Sequence, residues 1–173
     1  MERRLERLRQ EIESAVAGLS AEQLGAGPPG KWCAAEILEH LYLTYTGTTK
    51  GFERLLQAEP PPANRPTWQN RFGAFVVVGI GYFPKGRKSP PVAQPRGLPA
   101  DQVRSEIVAK IREMDQVMTR CESRFGPRRK VLDHPLLGPF SIAQWRKFHL
   151  VHGLHHVKQI RLLKASVIQQ QRS

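Results

Sequence analysis

Cysteine is scarce. The 173 residues hold two, Cys33 and Cys121, with no CxxC spacing, which excludes a disulfide framework and fits a reducing compartment. Long hydrophobic runs are missing too: the longest, Ala74 to Phe83, contains two Gly and is about half of the 18 or more apolar residues that a membrane span needs. Met1 to Gln10 alternates Arg and Glu with Leu and has no apolar signal region, so the expected location is cytoplasmic. Acidic residues are few, 15 Asp plus Glu against 27 Lys plus Arg, for a formal charge of +12. With 40% hydrophobic residues the chain has enough apolar material for a core, and its length predicts one domain over 1–173.

The excess charge is not spread evenly. Residues 1–18 balance at four basic and four acidic, 19–60 carry three against five, and 101–125 balance at five against five. The surplus lies in 61–100, six basic and no acidic, and in 126–173, nine basic and one acidic. The second block also contains five of the six His.

Four stretches repeat apolar residues every three or four positions, the signature of amphipathic helices. The first runs through Leu5, Leu8, Ile12, Val16 and Leu19, about five turns. The second, after the Gly25 to Gly30 cluster, runs through Ile37, Leu41, Thr44, Thr48, Phe52 and Leu55 until Pro60 to Pro62. Cys33 followed by Glu36 predicts a capping box at its start, with Cys in the usual place of Ser or Thr. The third runs from near Pro99 through Val103, Ile107, Ile111, Met114, Met118, Cys121 and Phe125 to Gly126. The fourth has Ser141 as N-cap and continues past Trp145 to about Leu163. Between the second and third lies a long crossover, 57–98, with eight of the 14 Pro. Trp68, Phe72, Phe75 and Val76 predict a short helix there, packed on the domain, and Lys85 to Pro91 a surface loop. No repeat or strand pattern stands out. The architecture predicted is all-α, a four-helix bundle with a long Pro-rich crossover between helices 2 and 3.

Chemistry concentrates on the last helix. At about 100° per residue, His149, His152 and His156 fall within roughly 60° of arc. Trp145, Gln159 and Leu163 extend the same stripe, which predicts a seam facing the bundle interior. Buried imidazoles are costly without partners. His152 and His156, four apart, can bind one metal from one helix. Gly153 stands where an HExxH motif would carry its catalytic Glu, so that motif is broken. A third ligand must come from another helix, and His40, three residues after Ile37 and four before Thr44, lies on the apolar side of the second. Glu36, one turn before His40, and Gln159, three residues after His156, are candidates to orient the imidazoles or to bind metal-bound water. His149 reads as an extra polar group above the site, and His155 as a packing or peripheral residue. Alternatives remain at this point: a satisfied core His at 40, and a harmless surface pair at 152 and 156.

The stretch Gly30-Lys-Trp-Cys-Ala-Ala-Glu-Ile-Leu-Glu-His40-Leu resembles the second-helix entry of the DinB-like superfamily. His152-Gly-Leu-His155-His156-Val-Lys-Gln159 is similar to its last-helix signature. Gly-Leu-Ser-Ala-Glu-Gln-Leu and His134-Pro-Leu-Leu-Gly-Pro also look like segments of this group, and the resemblance covers nearly all of the chain outside 60–98. It implies up-down-down-up topology and a divalent metal, zinc or nickel, on three His, which by position are His40, His152 and His156. It also implies a metal-dependent transferase or isomerase using a low-molecular-weight thiol, and a homodimer.

The leading functional expectation is a three-His metal site that activates a thiol or water, in a thiol-dependent S-transferase or a hydrolase. Lys85, Arg87, Lys88 and Arg96 would attract an anionic cofactor or small-molecule substrate. One alternative is a non-catalytic basic bundle that contacts nucleic acid or an acidic partner through Arg128, Arg129, Lys130, Lys158, Arg161 and Lys164. It ranks lower because no RNA-binding or helix-turn-helix signature is present. The other is a bundle stabilised by metal and without activity.

Overall fold

Leucines and isoleucines at three- and four-residue intervals give the first helix, α1 (Arg3–Val16), a single buried face of Leu5, Leu8, Ile12, Ala15 and Val16. The Glu2 carboxylate caps it by accepting the Arg4 N–H at 2.9 Å. The computed structural model describes residues 1–57, 67–81 and 89–170. The amphipathic pattern of α1 reaches Leu19, but the helix ends earlier: Gly18 takes φ +74°, where a side chain would be strained. A one-turn helix, α2 (Ala21–Gly25), follows, started by a capping box between Ser20 and Gln23. Leu19 stays buried at the junction.

The second pattern becomes α3 (Ala34–Gln57) and the third α5 (Ala100–Phe125). At the start of α3 the Cys33 N–H donates to Glu36 Oε2 at 2.8 Å, the carboxylate half of the expected capping box. Gly126, at φ +80°, ends α5 by donating its N–H to the Glu122 carbonyl at 2.8 Å. The last helix, α6 (Ile142–Gln170), is capped reciprocally by Ser141 and Gln144. It runs two turns past Leu163, where neither Gly nor Pro interrupts it.

The four long helices pack with α3 along α5 and α1 along α6, and α3 also meets α6. Leu5, Leu8, Leu38, Leu41, Phe52, Ile107, Ile111, Met118, Phe140 and Ile160 fill the space between them. Each such side chain stabilises the fold by about 1.5–3 kcal/mol through loss of apolar surface from water. Arg146, buried on α6, bonds Glu122 at 2.5 Å and Thr119 at 3.0 Å on α5. The core is mostly helical, as the periodicity predicts, with Phe140 entering it from the segment just before α6.

Two expectations need correction. A helix does form in the crossover, α4 (Trp68–Ala74), continuing as a π-helical turn over Phe75–Ile80. The face that packs is the other one: Trp68, Phe72 and Phe75 are 74%, 64% and 62% exposed, and Val77 and Val78 are buried. Trp68 and Phe72 precede the π turn, and it is the π turn that carries the compact Val77 and Val78 against α6. The second correction is a two-stranded antiparallel sheet, β1 (Lys130–His134) and β2 (Gly138–Ser141), in a chain where no strand pattern stands out. Strands this short, with Pro135 starting the turn and Pro139 inside β2, carry no legible alternation. Lys85, Arg87 and Lys88 lie outside the described residues.

Candidate metal centre

His40 is placed by α3 and His152 and His156 by α6, and all three are buried. One nitrogen from each lies within 4.8 Å of the others. His152 Nε2 is 3.2 Å from His40 Nε2 and 3.1 Å from His156 Nε2. The remaining nitrogens are held from behind. His40 Nδ1–H donates to the Ala93 carbonyl at 2.7 Å, and His156 Nδ1–H donates to Gln159 Oε1 at 2.7 Å. An oxygen with only lone pairs requires the hydrogen on each Nδ1, so in neutral rings both Nε2 atoms present lone pairs.

That arrangement tests whether the residues fit a cation. Burial favours the neutral form of all three rings: it lowers the pKa of His156 to about 3, that of His152 well below its ordinary value and that of His40 in the same direction. One hydrogen on His152 Nε2 can serve one of its two short contacts. The other contact then leaves a neighbour's lone pair facing a nitrogen with no hydrogen directed at it, which is unfavourable in a buried site unless a cation lies among the nitrogens. Around a tetrahedral zinc with Zn–N of about 2.0–2.1 Å, adjacent nitrogens are about 3.3–3.4 Å apart, close to the observed separations. The donor set fits a divalent ion.

The shell around the rings is partly apolar. Trp32 lies tilted over His40 at 5.2 Å between centroids, and Phe148 stacks on His152 at 5.3 Å and 10°. Gln159, a candidate from the sequence, orients His156, and its amide nitrogen donates to His155 Nε2 at 3.3 Å. His155 is thus linked to the site through Gln159. Glu36 bonds the Cys33 N–H, and none of the hydrogen bonds described on the three rings comes from it. Its role is at the helix start. Burial also pushes the Cys33 thiol pKa up, against a thiolate there.

His149 shares the stripe but not the cluster. It is completely buried between Trp145, stacked at 5.6 Å, and Tyr45, edge-on at 5.5 Å. Neither of its nitrogens has a hydrogen-bond partner among the described residues. Burial holds its pKa down to about 3. His134, in the hairpin, accepts the Leu136 and Leu137 N–H groups at 3.2 Å each through Nδ1 and packs edge-on to Phe148.

The crossover supplies what sequence reasoning missed. The Ala93 carbonyl sits in a 3₁₀ turn, Pro91–Ala93, folded onto α3, and Ser89 Oγ lies 3.3 Å from His40 Nδ1. A backbone acceptor has no residue signature, so only the Pro-rich composition hinted at ordered structure here. Of the cations named for a nucleic-acid face, Arg161 pairs with Glu11 at 2.7 Å and Lys164 donates to the Ala17 carbonyl at 2.5 Å. Both are engaged in joining α6 to the α1 region.

A helical bundle with three buried imidazoles converging between two helices defines a class of protein suited to hold a divalent cation in its core. The family model of the DinB superfamily matches residues 4–160. The chain belongs to that superfamily. No curated protein and no solved structure matches it. Among the described residues no helix is long and apolar enough to cross a membrane.

Proposed function

We propose that this chain is a metal-dependent enzyme that holds zinc or nickel on His40, His152 and His156 and uses it to activate a low-molecular-weight thiol or water, most specifically as a thiol-dependent S-transferase. The observation that carries the reading is the approach of three Nε2 atoms, two of them fixed as lone-pair donors by Ala93 and Gln159. A divalent ion on three neutral imidazoles keeps its full charge and supplies Lewis acidity that brings the pKa of a thiol or water toward neutrality. The protein's part is to hold and orient. The Ala93 and Gln159 oxygens fix the tautomers of His40 and His156, and the depressed pKa values keep the rings available as ligands at neutral pH. Trp32 and Phe148 keep water from the backs of His40 and His152. Exposed Arg96 favours an anionic substrate.

Elemental analysis of untagged protein reconstituted with zinc or nickel tests the site. About one ion per chain is expected, falling sharply in His152→Ala; the same stoichiometry in both proteins would sink the proposal. Turnover of a small thiol by the loaded protein, absent in His152→Ala, separates an enzyme from a bundle that uses metal only for stability.

A further inference from the structure

Glu39 precedes His40 on α3 and is only 2% exposed. A buried carboxylate needs several donors to be tolerated. Among the described residues its partners are three successive backbone N–H groups of the crossover rather than Lys or Arg side chains. Oε1 accepts from Arg96 at 2.6 Å, and Oε2 accepts from Gly97 and Leu98 at 3.1 Å each. Successive N–H groups converge on one anion only where the backbone forms a small concavity, and Gly97, at φ +86°, makes that turn. Three residues before this clamp, the Ala93 carbonyl accepts the His40 Nδ1–H.

Neighbouring residues of α3 therefore grip one stretch of crossover with opposite polarity. The Glu39 carboxylate takes donors at 96–98, and the His40 ring gives its hydrogen at 93. We propose that Glu39 is the positioning residue for His40: by fastening residues 96–98 to α3 it holds the Ala93 carbonyl against the ring, fixes the Nδ1–H tautomer and leaves Nε2 as the lone-pair donor facing His152 and His156. Its consequence for metal binding rests on the proposed function, while its consequence for the ring does not. Without the carboxylate, three N–H groups lose their acceptor and the crossover loses its attachment beside the site.

Two measurements test this. Long-range proton–nitrogen spectra of metal-free protein read the His40 tautomer, and calorimetric titration with zinc alone reads affinity. Glu39→Gln keeps the side-chain shape but turns amide hydrogens toward N–H donors. Gly97→Ala leaves α3 untouched and strains the turn, since its Cβ would meet nothing within 4 Å but sits on a backbone at φ +86°. Both variants should show a mixed His40 tautomer and a zinc Kd weakened about 10- to 100-fold. Asp115→Asn, which removes a different buried carboxylate, one that binds the Glu2 N–H and pairs with Arg146, should retain the wild-type tautomer and Kd. A wild-type tautomer and Kd in Glu39→Gln overturns the proposal, and if that variant does not fold, Gly97→Ala decides in the same way. Failure of the wild-type chain to bind zinc or nickel would count against the metal reading alone, because the tautomer measured without metal still decides the role of Glu39.

Discussion

A Cβ built on Gly153 would lie 2.1 Å from Leu8 Cδ1 and 3.2 Å from Tyr45 Oη. This position, between His152 and His156, is where Leu8 of α1 packs against α6. The broken HExxH motif thus has a steric reason: a Glu here would be driven into Leu8 and Tyr45. Gly153→Ala should cost about 1–3 kcal/mol by overpacking, seen as a lower urea midpoint with an unchanged slope. A midpoint equal to wild type would mean that Leu8 moves aside freely. At this scale the convergence of His40, His152 and His156 was legible, because a four-residue step on one helix and an apolar-side His on another are sequence patterns. His149 was not separable from it by pattern, since it lies on the same stripe; only the ring contacts with Trp145 and Tyr45 set it apart.

Among the elements, the hairpin and the crossover carry what helical periodicity could not reveal. The turn between β1 and β2 is closed by His134, whose Nδ1 accepts two backbone N–H groups. Protonation there removes both acceptances at once. Burial lowers the His134 pKa from 6.5 to about 4, so between these values the unfolded chain binds a proton that the folded chain does not. Stability from this group is complete above about pH 7 and is lost as pH falls toward 4, by up to about 3 kcal/mol. His134→Asn, which lacks the titration, should show a shallower acid limb in denaturation midpoints taken from pH 7 to 4; parallel limbs would refute the assignment. The same logic of local hydrogen bonding governs the crossover. Its grip on α3 is made by backbone atoms at 93 and 96–98, groups that almost every residue type carries, so composition announced a long connection and not its contacts.

For the molecule as a whole, the candidate centre joins α3 to α6, elements 112 residues apart along the chain at His40 and His152. An ion bound only by the folded state stabilises it by mass action, about 2.7 kcal/mol at a hundred times Kd. For a chain of this length that corresponds to a rise in Tm of about 5–11 °C. Scanning calorimetry with zinc or nickel should show the rise in wild type and none in His152→Ala; equal shifts in both would place the ion elsewhere. Charge at this scale is a weaker guide. The +12 is real, yet Arg161 and Lys164 spend theirs on α1 and its end.

The sequence by itself determined the helical class, three of the four long helices to within a few residues, and the three histidines, because periodicity, capping residues and ligand spacing are properties of one segment at a time. Tertiary structure decided the rest: which face of α4 packs, that Glu39 clamps the crossover, and that the Ala93 carbonyl holds the His40 ring. Those depend on groups brought together from distant segments, and a backbone carbonyl is common to every residue and an N–H to every residue but Pro, so no residue type marks them in advance.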